Sequence, residues 1–568
     1  MLLTAAPMSP AADIPKGTDY STLNQGSAEQ QYRHRTFHAY LPLGEVSKRN
    51  KISNYSSIEN ATGIFFSQGE EVILTLSGAA GQDIRLIVHD FGNNGSRETY
   101  DLHDGVNKIT LRNRGLGYID YRSATPDSAP EVHVDIQGGQ INGVFTRHDD
   151  AQTWKRLLAE AKCDILDMVG ERCHLTYDVD TLSKSCPERG SELLAMYDEI
   201  IRMEQEDIMG WHLDNAHPGN HIHGRVMWNG FMHADGLGAA FHVGTMPGLT
   251  EPDRLRQSSW GVAHEFGHVN QTRPGMRWVG MSEVTNNIYS AWVNYKLYPQ
   301  RLRLEHEVVD NIEGDWMIGG RFDCYINNAL VHRRLWQFHG GSHPKEQPAT
   351  PPPPSDDPFV GLCPLWQLQL YMAIARNNPN FYPSIFRDVR ATDESGMTNG
   401  ELRILFFKRA CDAAKLDLSA FFAKLGMLSS MDRLLDDYGK AHITVTREMA
   451  LEALDYAKRY PKPDTDVLYY ITGNSVEIYR DKLNIKQPEE GTEAPPIVNG
   501  RMEMPAQLWE NAVAFEAYQG DKLLRISLRG LNHKDNCSTT VICPIGTDTV
   551  KAVQWDGTRY TVLRPEEK

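Results

Sequence analysis

Between about residues 50 and 145 apolar and polar residues alternate in short runs. Glu71-Val72-Ile73-Leu74-Thr75-Leu76, Ile84-Arg85-Leu86-Ile87-Val88 and Val132-His133-Val134-Asp135-Ile136 are examples, with Gly and Asn clusters between them. Such alternation at this spacing predicts a β-sandwich. From about 150 to 460 the period lengthens to that of helices. Predicted helices cover Ala151 to Ala161, Glu192 to Met209, Trp260 to Thr272, Glu283 to Leu297, Tyr325 to Phe338, Leu365 to Arg376, Glu401 to Ala414 and Leu418 to Leu425. The stretch Ser342 to Asp357, with Pro351 to Pro354 in a row, predicts an extended surface insertion. Short β runs return from 465 to 568, as in Val513 to Tyr518 and Leu523 to Leu528.

The expected fold is therefore multidomain α+β. Residues 1–30, polar and rich in Gly, Ser and Gln, form a disordered leader; 31–147 an N-terminal β-sandwich; 148–464 a mainly helical catalytic domain; 465–568 a C-terminal β-rich domain. A chain of 568 residues is too long for one core, which agrees with three domains.

Composition narrows the partners. A net charge of −16 and the lack of any basic block exclude nucleic acid as the main partner. No run of eighteen apolar residues occurs, so no integral membrane span is expected. The eight cysteines contain no CxxC pair and leave both a disulfide and buried free thiols open. Met1 to Ala12 is apolar but lacks a basic start, which makes any export signal here absent or incomplete. Nothing indicates a coiled coil, and a monomer is the default expectation.

The chemistry lies in His264-Glu265-Phe266-Gly267-His268. On a helix, side chains at i and i+4 share a face, so both histidines can hold one metal ion. Glu265 then stands beside the metal as the general base, Zn2+ being the ion such a set selects. Glu283, fifteen residues beyond His268, heads a second predicted helix and is the candidate third ligand. Asn287 lies one turn further on, where its side-chain oxygen could accept from a ligand imidazole. Ser258 or Ser259 is the candidate N-cap of the motif helix, with Pro274 as its stop.

Around the motif the chain resembles the M60-like (enhancin-type) metallopeptidases of the gluzincin clan. Trp260-Gly261, Gly267-His268-Val269-Asn270-Gln271, Glu283-Val284-Thr285-Asn286-Asn287, Pro364 to Tyr371 and Phe381-Tyr382-Pro383 carry the likeness, with Thr62 to Phe66 and Val134 to Gly143 upstream. The likeness spans roughly residues 50 to 450. An M1-type aminopeptidase would need a Gly-Ala/Met-Glu-Asn segment upstream, and none occurs.

The resemblance implies a zinc endopeptidase that cleaves mucin-like glycoproteins next to an O-glycosylated Ser or Thr, in an extracytoplasmic setting. A broad endopeptidase without sugar requirement, and a glycan-binding surface protein with a vestigial site, are the alternatives. Trp260, one turn before His264, is either a sugar-stacking wall or a core aromatic. Arg321 and Asp323 either bind sugar hydroxyls or pair with each other, the second being favoured. Trp366, Gln367 and Gln369 are expected to be architectural. His217, His221, His223, His233 and His242 are expected to be solvated or hydrogen-bonded around an edge strand rather than to form a second metal site. Tyr289, Tyr325 and His332 are unranked candidates for the oxyanion donor.

Overall fold

The computed structural model describes residues 14–15, 17–53, 55–92, 95–307, 320–333, 357–531 and 537–563. Most of the predicted proline-rich insertion, and the end of the predicted helix from Tyr325, lie outside the described residues. Two units emerge, one from Pro10 to Thr272 and one beginning at Arg273 and running to the C-terminal residue. The division falls inside the segment 148–464.

The first unit opens with a β-sandwich. One antiparallel sheet has the order β1 (His34–Phe37), β8 (Val132–Gln137), β3 (Glu71–Ser77), β6 (Gly105–Thr110). The other has the order β5 (Arg97–Leu102), β4 (Ile84–His89), β7 (Gly115–Tyr121), β2 (Ala61–Phe66), β9 (Gln140–Ile141). The alternation along β3 and β8 turns Val72, Leu74, Leu76, Val132, Val134 and Ile136 inward, into one core with Leu86, Val88 and Ile119. The leader expected over 1–30 is part of this unit from Gly17 onward. Tyr20 and Leu23 are buried, and Thr18 Oγ1 donates to Asn60 Oδ1 at 2.5 Å. Apolar anchors and side-chain hydrogen bonds, among them Asn24 Nδ2 to Val144 O at 3.0 Å, hold a segment that is polar on average.

A six-stranded mixed sheet follows, ordered β10 (Val144–Thr146), β11 (Ile165–Val169), β12 (Cys173–Asp178), β13 (Ile222–Met227), β15 (Gly238–His242), β14 (Met232–Asp235). This sheet occupies a region expected to be mainly helical. All five residues of β11, and the first five of β12, are buried, so neither strand shows the alternation that betrays a half-exposed strand. The helix Trp260–Asn270 packs on β14 and β15.

The second unit is helical at its centre. Pro358–Gln369 begins with Asp357 accepting from Phe359 N and continues through Leu370–Ala375. This helical run is long and apolar enough to cross a bilayer, but 83% of it is buried inside the protein, as befits a core helix. The helix Asn399–Ala414 starts at a capping box formed by Thr398 and Glu401. A hairpin of β16 (Met431–Asp436) and β17 (Lys440–Val445) packs on it so closely that a Cβ on Gly400 would lie 1.7 Å from Thr444 O.

The C-terminal strands form a sheet ordered β20 (Lys522–Leu528), β19 (Ala514–Gln519), β22 (Thr549–Val553), β23 (Arg559–Leu563), and a pair of β18 (Arg501–Met504) with β21 (Thr539–Ile542). They are knitted to the helices of the same unit. Asn327 bonds both N and O of Ile526, Arg525 pairs with Asp323, and Tyr470 OH donates to Glu516 at 2.7 Å.

Candidate metal centre

The motif helix owes its orientation to one apolar stripe. Val262, Phe266 and Val269 are buried, and Phe266 meets Phe241 and Tyr197 edge-on at centroid separations of 6.0 and 6.2 Å. Gly261 permits the close approach to β14, since a Cβ there would stand 3.1 Å from Met232 Sδ. His264 and His268 are half-buried on another face, with their Nε2 atoms 3.1 Å apart. Glu265 is 5% exposed. Ser259 precedes the helix, but its side chain makes no capping bond.

Beneath the C-terminal end of the helix Asn270 Nδ2 donates to Glu204 Oε2 at 2.7 Å. Burial raises the Glu204 carboxyl well above its ordinary 4.5. Beside it Arg172 pairs with Glu206 at 2.8 Å, also out of solvent.

Glu283 stands in a turn rather than in the first turn of a helix, because the following helix runs only from Asn287 to Leu297. Side chains hold that turn. Thr285 Oγ1 donates to Met276 O at 2.6 Å, and Asn287 Nδ2 donates to Glu283 O at 2.8 Å and to Asn286 Oδ1 at 3.2 Å. The amide nitrogen of Asn287 thus serves the Glu283 turn, with one bond to its backbone and one to the Asn286 side chain. Asp437 Oδ2 accepts from Gly280 N at 2.8 Å, Ser282 N at 3.2 Å and Ser282 Oγ at 2.8 Å. Tyr438 OH donates to Glu283 Oε1 at 2.6 Å. Asp437 and Tyr438 had no place among the sequence candidates, since Asp437-Tyr438-Gly439 signals no more than a turn.

The donor atoms of His264, His268 and Glu283 all lie within 4.8 Å of one another, and among the described residues no other three His, Cys, Asp or Glu side chains are so placed. The set suits zinc. Two nitrogens at the usual zinc–nitrogen distance in tetrahedral geometry are about 3.3 Å apart, close to the 3.1 Å found between the imidazoles.

The remaining candidates are placed as follows. Trp260 is 7% exposed at the start of the motif helix. Arg321 and Asp323 are buried and pair with other residues instead of with each other. Arg321 bonds Glu307 at 2.5 Å and Asp357 at 2.8 Å, while Asp323 meets Arg525. Gln367 donates to Tyr469 O at 2.7 Å and Ile471 O at 3.0 Å, and Trp366 and Gln369 are buried. Tyr289 and Tyr325 are buried and His332 is exposed.

Within the histidine-rich segment, His221 Nδ1 meets Glu59 at 2.7 Å and His223 Nδ1 meets Leu237 O at 2.9 Å. His217 Nδ1 accepts from Gly219 N at 3.0 Å, His233 lies 3.4 Å from Asp235, and His242 Nδ1 accepts from Gly244 N at 3.1 Å. Six of the eight cysteines are buried.

The fold has solved relatives. A metallopeptidase in complex with Tn antigen matches with a TM-score of 0.70 at 21% identity, over 94% of this chain and 99% of that one. A metallopeptidase from Bacteroides thetaiotaomicron matches at 0.69 and 20%, over 94% and 90%. The M60 catalytic domain of ZmpC from Clostridium perfringens, in complex with the sialyl T antigen, matches at 0.64 and 16%, over 93% and 99%. No curated protein matches the sequence. Residues 144–426 match the family described as Peptidase M60, enhancin and enhancin-like, a span that holds the six-stranded sheet, both histidines and the Glu283 turn; this chain belongs to the M60 metallopeptidase family.

Proposed function

We propose that the chain is a zinc-dependent endopeptidase that hydrolyses mucin-like O-glycoproteins next to an O-glycosylated Ser or Thr. The observation that carries the hydrolytic part is the convergence of His264, His268 and Glu283, with Glu265 on the same helix as the two histidines. His264, His268 and Glu283 would hold the zinc and leave a fourth position open. When bound, the ion supplies Lewis acidity, polarising a carbonyl and making water nucleophilic at neutral pH. The Glu265 carboxylate takes the proton from the attacking water and returns it to the leaving amine nitrogen.

The sugar requirement draws its support from the neighbours of like fold, one in complex with Tn antigen and one with the sialyl T antigen. Substrates of that kind favour an extracytoplasmic location. Burial of Trp260, Arg321 and Asp323 favours framework roles for all three, which leaves sugar recognition to other side chains.

One synthetic peptide, bare and carrying a single GalNAc on Ser or Thr, tests the proposal with wild-type and Glu265→Ala protein. Cleavage of the glycosylated form alone, by wild type alone, is the expected result. Equal cleavage of the bare peptide would remove the sugar requirement, and cleavage by Glu265→Ala would remove the general-base role.

A further inference from the structure

We propose that the tip of the β16–β17 hairpin is a positioning element for the third metal ligand, Asp437 setting the backbone of the Glu283 turn and Tyr438 orienting its carboxylate. The inference rests on the reading of Glu283 as a zinc ligand.

Asp437 spends one carboxylate oxygen on three donors from Gly280 and Ser282, the residues just before Glu283. Hydrogen bonds to an ionised acceptor are about twice as strong as neutral ones. Asn399 ties the same pieces together, its Oδ1 accepting from Val279 N at 2.9 Å and its Nδ2 donating to His442 O on β17 at 2.8 Å. The hairpin and the ligand turn are therefore fastened at several points.

Tyr438 then acts on the side chain itself. Its phenol donates to Glu283 Oε1 at 2.6 Å, which stops the carboxylate from turning about its last bond. Tyr438 is 81% exposed, and its φ of +57° puts a bulky side chain in the left-handed region. Such a conformation is strained for a bulky side chain and is ordinarily left to Gly or Asn in a turn. Strain kept at an exposed aromatic beside a ligand carboxylate points to function. Groups that orient a metal ligand raise metal affinity by about 10- to 100-fold.

The test measures zinc affinity by chelator competition, together with the melting temperature of the zinc-free protein, for wild type, Tyr438→Phe, Tyr438→Gly, Asp437→Asn and Glu283→Ala. Tyr438→Phe is expected to bind zinc about 10- to 100-fold more weakly, with unchanged melting of the zinc-free form. Tyr438→Gly relieves the backbone and is expected to melt at or above wild type while losing as much zinc affinity. A purely structural role would instead lower melting and leave affinity alone. Zinc affinity within about threefold of wild type in both Tyr438 variants, with Glu283→Ala losing the ion, would overturn the inference and leave the ligand set standing. So would a fall in kcat at unchanged affinity. Retention of zinc by Glu283→Ala would bring down the ligand set itself.

Discussion

The histidine helix and the glutamate turn reach comparable precision by opposite means. On the helix, backbone periodicity places His264 and His268 on one face, and a single apolar stripe ending in Val269 turns that face outward. In the turn no periodicity operates. The turn that carries Glu283 is held by Thr285, Asn287 and Tyr438 as donors and by Asp437 as acceptor, the last two lying more than 150 residues away in the chain. A helix makes its ligands from local spacing, whereas a turn has to borrow its geometry from whatever packs against it. The two halves should therefore fail differently when perturbed.

The largest contrast is chemical. Glu265→Gln is expected to reduce kcat by about 10²- to 10⁴-fold with zinc content unchanged, whereas His268→Ala loses the ion. Metal analysis beside turnover separates them; equal zinc loss in both variants would show that Glu265 supports the ion instead of the proton.

Next comes packing. Phe266→Ala removes a fully buried ring from the helix stripe and is expected to cost about 3–5 kcal/mol by denaturant unfolding. A cost near zero would mean that the helix is not oriented by this stripe.

In the turn the corresponding change is smaller and more specific. Asn287→Ala deletes the donor to Glu283 O, with an expected stability cost of about 1 kcal/mol. Its main effect should fall on zinc affinity. If Asn287→Ala kept wild-type affinity, the turn would be rigid without it.

The smallest effect is a pH dependence under the helix. Glu204 has its proton affinity raised by burial, so the folded state binds a proton that the unfolded state releases above its ordinary 4.5. That contribution is fully present below the unfolded value and is lost as pH rises toward the raised folded value. Glu204→Gln keeps an oxygen for Asn270 without the charge. It should match wild type near pH 4 and melt slightly higher near pH 8. A variant that melts lower at pH 8 would mean that the charged carboxylate is the form the fold needs.

The same contrast explains what could be read from the chain. The sandwich was legible because β3 and β8 alternate cleanly, one face buried and one solvated. Strands β11 and β12 were not, since burial on both faces makes them uniformly apolar, and the hairpin of β16 and β17 was lost among helices. Glu283 was found by its distance from His268, yet its setting in a turn was hidden. A Ser-Glu-Val-Thr-Asn run running into apolar residues looks like a helix start whether the helix begins at 283 or at 287.

Sequence alone singled out His264, His268 and Glu283 as candidate ligands and placed the two histidines on one helix face, because i, i+4 spacing is a property of the backbone that needs no partner. It also determined the β-sandwich and the membership of the M60 family. Only the tertiary structure decided how Glu283 is held, and that Arg321 and Asp323 serve buried ion pairs. Those outcomes depend on contacts between residues far apart in the chain, and no local pattern encodes which distant carboxylate or phenol will arrive at a given turn.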